Sequence, residues 1–214
     1  MKNSILIILC CATFTSFSQT AADIFTASDY QYTYLGIDYS HAKFNGNFSQ
    51  FAEAGSTGVV AIKAKYFTGW NYVVYNEREK YSFQNALRKE NISYDLDDIG
   101  LINDNTVVED MEGAAATFTQ EDIQGFINNS EYTVTEGVGI MFIAEYIDKN
   151  KVEACFHFVL VNMETKEILI HERMVNQPGG FGLRNYWIKP IYASVATIKK
   201  SLFKRWKKEY AVKK

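Results

Sequence analysis

The chain is poor in the residues that staple or break a fold. It has three cysteines and two prolines in 214 residues. Cys10 and Cys11 fall in an N-terminal apolar stretch. Once that stretch is set aside, Cys155 stands alone and no intramolecular disulfide can tie the domain together. Stability must then come from a packed core, and about 195 residues can bury enough apolar surface for one. Scarce proline with abundant aromatic residues also excludes long disordered linkers. Positive charge is missing over a long stretch: no Lys or Arg occurs from Asn91 to Asp148, which holds thirteen Asp and Glu. Lys199 to Lys214 then carries eight Lys/Arg against one Glu, so the net charge of -3 conceals opposed blocks. Such blocks can face each other, stay solvated or recruit partners of opposite sign, and the first two are expected here.

The N-terminus has the form of a cleavable secretory signal. Lys2 precedes an apolar run from Ile5 to Phe17, and Ser16 and Ser18 stand before Gln19. Residues 1–18 are read as the signal and 19–214 as a single domain. The run is too short to span about 30 Å of hydrocarbon, so the mature chain should have no transmembrane segment. Leu9 or Cys10 stands where a lipobox needs a small residue, which removes lipidation. The expected location is exported, periplasmic or associated with the outer membrane. An acidic, exported domain is a poor nucleic-acid binder.

Local patterns predict the elements. Tyr34 to Phe44 reads as a strand and residues 45–57 as a loop. Val59, Ile62, Tyr66, Trp70, Val73 and Val74 recur at helical spacing and predict a helix over Gly58 to Glu79. Ser82 can cap a short helix reaching Arg88, and Ile92 to Ile102 reads as a strand. Asp104 to Thr117 is an acidic loop, and Thr119 with Asp122 forms a capping box for a helix to Asn128. Val138 to Ile147, Val152 to Met163 and Lys166 to Val175 are joined by the short turns DKNK and METK, which predicts a three-stranded antiparallel meander. Ile188, Ile191, Val195, Ile198, Leu202, Trp206 and Tyr210 then form the apolar stripe of a long C-terminal amphipathic helix, with Pro190 in its first turn. The fold class expected is α+β: one domain with a mixed sheet covered by helices.

Motifs that carry chemistry mostly fail at identifiable positions. In NQPGGFGLRNYW the spacing from Gly180 and Gly182 reaches Asn185 where a dinucleotide loop needs glycine, and Leu183-Arg184 stands where a P-loop needs Lys-Ser/Thr. What remains is a candidate anion site of Gly180, Gly182 and Arg184 at a helix N-terminus, beside the plainer reading of a corner whose glycines take positive φ and let Phe181 and Trp187 tuck under the helix. LGIDYSH resembles the opening strand of sugar kinases, but no phosphate loop follows, which leaves Asp38 as a strand residue or an acid/base candidate. DLDDIG fails as an EF-hand at Ile99 and Thr106, leaving an irregular oxygen site of Asp95, Asp97, Asp98 and Asp104 as the only calcium reading. No metal or cofactor is indicated.

Three histidines occur, His41, His157 and His171. If the METK turn pairs Met163 with Lys166, His157 opposes Glu172 and the two meander histidines face opposite sides of the sheet. A shift of one residue sets His157 opposite Arg173 and His171 opposite Val159, which brings both histidines to one face. Only that register allows a shared acid/base site. Glu145, on the side of Met141 and Ile143, is the best general-acid candidate, and Cys155 reads as an inert buried thiol. Lys199, Lys200, Lys204, Arg205, Lys207 and Lys208 surround the stripe of the last helix and make a basic surface candidate for an anionic face or an envelope protein.

The signal ending in Ser-Phe-Ser, the strand YLGIDYSHAKF, the helix centred on WNYVVYNEREKYS and the terminal PGGFGLRNYW together resemble a group of uncharacterised exported proteins of the Bacteroidota. That resemblance implies export and a single domain, and it transfers no activity. The functional expectation is a non-enzymatic binding or envelope-assembly component. The alternative is a hydrolase whose site joins the acidic loop to the meander histidines.

Overall fold

The computed structural model describes residues 19–26, 30–51, 58–109, 111–114 and 117–211. The signal peptide assigned to residues 1–18 lies outside them. A short helix α1 (Asp23–Thr26) leads into strand β1 (Tyr32–Asp38) and the three-residue β2 (Lys43–Asn45). Helices α2 (Gly58–Ile62) and α3 (Thr68–Asn76) are joined without a break by a π-helical turn over Lys63–Phe67. Then come α4 (Phe83–Leu87), β3 (Ile92–Tyr94), α5 (Asp97–Asp104) and α6 (Gln120–Asn129). The meander β4 (Val138–Asp148), β5 (Glu153–Asn162) and β6 (Ile168–Asn176) follows. The chain closes on α7 (Leu183–Thr197), a π-turn over Ile198–Leu202 and α8 (Phe203–Tyr210), one continuous helix.

The strands form one mixed sheet in the order β3-β1-β4-β5-β6, with β2 paired to the far half of β4. β1, β2 and β3 pair in parallel, and the meander is antiparallel. The expected α+β fold, meander and long C-terminal helix are therefore present. β4 and nearly all of β5 are buried, as strands covered on both faces must be. The larger core joins one face to α2, α3, α4, α7 and α8 through Trp70, Phe142, Phe156, Phe158 and Trp206. The smaller core sits on the opposite face, where Ile99 of α5 and Ile123 and Ile127 of α6 meet Met141, Ile143 and Val159.

Local chemistry explains where the elements begin. Ser82 accepts the Asn85 N–H and caps α4, and the Thr119–Asp122 capping box opens α6. Two expected strands are shorter than their apolar pattern. The one read over Tyr34 to Phe44 is broken after Asp38, whose carboxylate accepts the Ser40 N–H at 2.7 Å, while the Ala42 N–H bonds the Tyr39 carbonyl. That turn, built by a side chain that competes for backbone donors, starts β2 on a new line. The one read over Ile92 to Ile102 stops at Tyr94, because the Asp95 carboxylate accepts the Asp97 N–H and α5 starts there with Asp97 and Asp98 in its first turn. Carboxylates are favoured at that end of a helix dipole.

Pro190 also stands elsewhere than expected, well inside α7, since the helix begins at Leu183. A proline there frees the carbonyl four residues earlier, that of Tyr186. The Gly179 N–H takes it up at 3.0 Å. The glycine corner therefore completes the helix it precedes, with Gly180 and Gly182 at φ +104° and +77°. Trp187 is buried as expected, but Phe181 is not tucked away: it is 95% exposed.

Where β4 begins, Gly137 has φ +79°, and a Cβ there would stand 2.5 Å from the Gln31 carbonyl oxygen. Gly137→Ala should destabilise the protein by about 1–3 kcal/mol or more, as expected for a left-handed non-glycine residue. A urea midpoint equal to that of the parent would contradict it.

Candidate functional site

Two extra residues in the sheet assemble a buried polar group. Beside its turn the β5–β6 hairpin sets Val161 opposite Ile168, the register that separates the histidines. A bulge at Leu169 then moves every later pair by one, so Val159 opposes His171 and His157 opposes Arg173. Both histidines now face the smaller core. In β4 a second bulge falls between Ala144 and Tyr146 and leaves Glu145 as the extra residue, aimed at the same face.

The result is a line of four side chains. Arg173 donates from Nε and Nη2 to the two oxygens of Glu145, at 2.9 and 2.6 Å. His157 Nε2 lies 2.6 Å from Glu145 Oε2, and its Nδ1 lies 2.7 Å from His171 Nε2. The Phe118 N–H adds a bond to Glu145 Oε2 at 3.3 Å, as the loop before α6 closes over the group. Glu145 and His157 are completely buried, His171 is half-buried, and Arg173 reaches solvent. Phe118 lies over His157 on the loop side.

The electrostatics follow from these contacts. Burial alone would raise the Glu145 carboxyl, but hydrogen bonds from His157, Arg173 and the Phe118 N–H outweigh it and hold the group at about 2. An ionised Glu145 only accepts, so His157 donates to it from Nε2. The 2.7 Å contact between His157 Nδ1 and His171 Nε2 holds one proton, borne by one of the two ring nitrogens. Burial and the neighbouring His157 push His171 down to about 4, against the opposing pull of Glu121. Burial and the Glu145 charge push the Cys155 thiol up to about 12, so it is a poor nucleophile at neutral pH.

As chemistry, the group is closed. Every Glu145 oxygen is engaged, which leaves a carboxylate unable to exchange protons near neutral pH. Glu145, Cys155 and His157 do present ligand atoms within 4.8 Å of one another. Arg173 already neutralises the carboxylate, however, and a divalent cation would meet that fixed positive charge. The arrangement is therefore an ion-pair network built into the sheet.

Of the sequence candidates, Glu145, His157 and His171 are brought together, and Asp38 is not: it is buried and holds its own turn. Arg173, the ion-pair partner, carried no motif and could be found only through the register. His41 stacks on Phe126 beside a cavity of about 310 Å³ and does not touch the network. The calcium candidates diverge, since Asp98 accepts from the Thr133 N–H and hydroxyl and Asp95 from the Asp97 N–H. Gly182 is the N-cap of α7 with no side-chain cap, and Arg184 is exposed beside it. No protein-family model matches the chain, and no curated protein does.

Removing Arg173 would leave a buried carboxylate without its cation and with Oε1 unbonded. Arg173→Gln should cost about 3–5 kcal/mol in urea unfolding, as when one member of a buried pair is deleted. A loss below about 1 kcal/mol, the value of a surface pair, would refute the assignment. Both shifted groups also predict acid lability. His171 binds its proton in the unfolded chain first, so stability should be complete above about pH 6.5 and fall as the pH drops toward 4. Glu145 continues the loss from about pH 4.5 toward 2. His171→Phe should remove the upper part of that profile; an unchanged upper limb would overturn the assignment.

Proposed function

We propose that the protein is exported and works as a non-enzymatic binding or assembly component of the cell envelope, with its C-terminal helix as the partner-facing surface. One observation carries the reading. Lys199, Lys200, Lys204, Lys207 and Lys208 are exposed and, among the described residues, form no ion pair with the acidic helices α5 and α6, which lie across the sheet. The apolar stripe of the helix belongs to the larger core, while α5 and α6 of the acidic block seal the smaller one. Among the described residues Arg205 alone of the cations of this helix has an acidic partner, Glu172 of β6.

Charges separated in this way are not neutralised within the fold, which is the arrangement that steers a partner of opposite sign. The partner is an anionic surface or an acidic envelope protein. The saturated carboxylate and raised thiol support a binding role over catalysis. The hydrolase alternative retains one supporting feature, the half-buried imidazole of His171, held down to about 4 at the end of the network. Among the described residues no helix is long and apolar enough to cross a membrane, which suits a peripheral role.

Replacing the five lysines by glutamate should abolish capture of the mature chain by an envelope extract of its source. The same changes should move stability by only about 0.5 kcal/mol each, because the side chains are exposed and unpaired. Capture at parental strength would overturn the basic-surface reading. Export is checked by sequencing the N-terminus of the protein recovered from the periplasmic fraction, where Gln19 is the expected first residue.

A further inference from the structure

Phe181 is the most exposed large apolar side chain among the described residues, and its position is built rather than loose. Gly180 and Gly182 on either side take φ +104° and +77°, a region that residues with a Cβ rarely adopt. The Asn185 side-chain amide donates to the Phe181 carbonyl at 3.2 Å, and the Tyr186 N–H to the Gly182 carbonyl at 2.9 Å. The corner is thereby tied to the first turn of α7, with its ring turned outward. Trp187 in the same segment is buried, so the exposure belongs to Phe181 and not to the whole corner.

The ring has apolar company and a positive surround. Val152, in the β4–β5 turn at φ +58° and 44% exposed, joins Leu183 and Tyr186 around a cavity of about 420 Å³ that has Gly182 in its wall. No carboxylate is among the described residues that line it. Arg184 and Lys189 are exposed, and among the described residues neither has an acidic partner. The Lys189 ammonium lies against Gly179, 2.7 Å from where a Cβ would stand, which places it on the corner itself. Glu153, the carboxylate next to Val152, is engaged by the Tyr146 hydroxyl at 2.8 Å and by Lys151. Nor does the segment supply an acid of its own, since no Asp or Glu occurs between Glu172 and Glu209.

We propose that the glycine corner is a lipid-contact site: Phe181, with Val152 at its side, enters the boundary between headgroups and acyl chains of an anionic leaflet, and Arg184 and Lys189 meet the lipid phosphates. Apolar insertion and cations together give lasting attachment to a membrane surface where one of the two alone is marginal. The same charges disfavour a second copy on this patch, because a self-paired contact would bring the cations of both copies together. The inference rests on the reading of the protein as an exported envelope component, and it names anionic lipid as a partner. It does not use the five lysines, which lie at the other end of the continuous α7–α8 helix.

The mature protein is titrated with vesicles of phosphatidylglycerol and phosphatidylethanolamine, with phosphatidylcholine vesicles as the control, and binding is read by cosedimentation. The parent should bind the anionic vesicles and not the neutral ones. Phe181→Ser should weaken binding by about tenfold or more, and so should Arg184→Glu with Lys189→Glu. Neither variant should move the urea midpoint, because the side chains are exposed. Phe181→Trp gives the corner its own signal: Trp70, Trp187 and Trp206 are all buried, so acrylamide quenches the added indole, and anionic vesicles should shield it and shift its emission to the blue. Parental vesicle binding by Phe181→Ser, or an indole still open to acrylamide in the vesicle-bound protein, overturns the proposal. A dimer that Phe181→Ser dissociates, without vesicle binding by the parent, assigns the patch to a second copy and overturns it too. If the five-lysine variant keeps envelope capture while Phe181→Ser loses the vesicles, the lysine reading falls and the corner stands. If the five-lysine variant loses capture while Phe181→Ser binds vesicles like the parent, the corner falls and the lysine reading stands.

Discussion

The structure depends on keeping one carboxylate charged inside a sheet. Glu145 has no exposed surface, and an isolated anion there would cost several kcal/mol of lost hydration. It is held by the two-pronged Arg173, by His157 and by the Phe118 N–H, contacts that come from β6, β5 and the loop before α6. Each supplier is positioned by a separate feature: the bulge at Leu169 sets Arg173 opposite His157, the bulge in β4 re-aims Glu145, and the capping box of α6 fixes the chain next to Phe118. A buried network of this kind penalises any register that leaves a member unpaired, which makes strand pairing specific as well as stable.

The sheet also separates charge. Its acidic helices close one face, and the helix that carries the lysines closes the other, so the two blocks are kept apart by the apolar layers between them. The unequal extent of those layers has a structural source. The long C-terminal helix needs a broad aromatic floor, with Trp206 stacked on Phe158 at 5.7 Å, whereas two short helices suffice to cover the side bearing the network. The glycine corner before α7 serves this layout. Gly179 takes the carbonyl released by Pro190, so a long helix can hold a proline in its interior without an orphaned acceptor.

Much of this architecture can be read locally. The helical spacing from Val59 to Val74, the Ser82 and Thr119 caps, the three meander strands and the stripe from Ile188 to Tyr210 all reflect interactions within a few residues, and each stands close to where its pattern lies. The two misread strands are instructive because their apolar patterns continue past the true end. Asp38 and Asp95 stop them with a single side-chain bond to a backbone N–H two residues on, a competitor that a hydrophobic period does not register.

The amino-acid sequence by itself determined the α+β class, the antiparallel meander, the long C-terminal helix and the two opposed charge blocks, because composition and short-range periodicity suffice for them. It also narrowed the histidines to two registers, one of which forms the network. Only the tertiary structure decided between those registers, through a bulge in the edge strand β6 where it pairs with β5. It alone recruited Arg173, buried Glu145, exposed Phe181 and left β3 at an edge, since such outcomes depend on contacts between residues far apart in the chain, where a shift of one position moves a side chain to the other face.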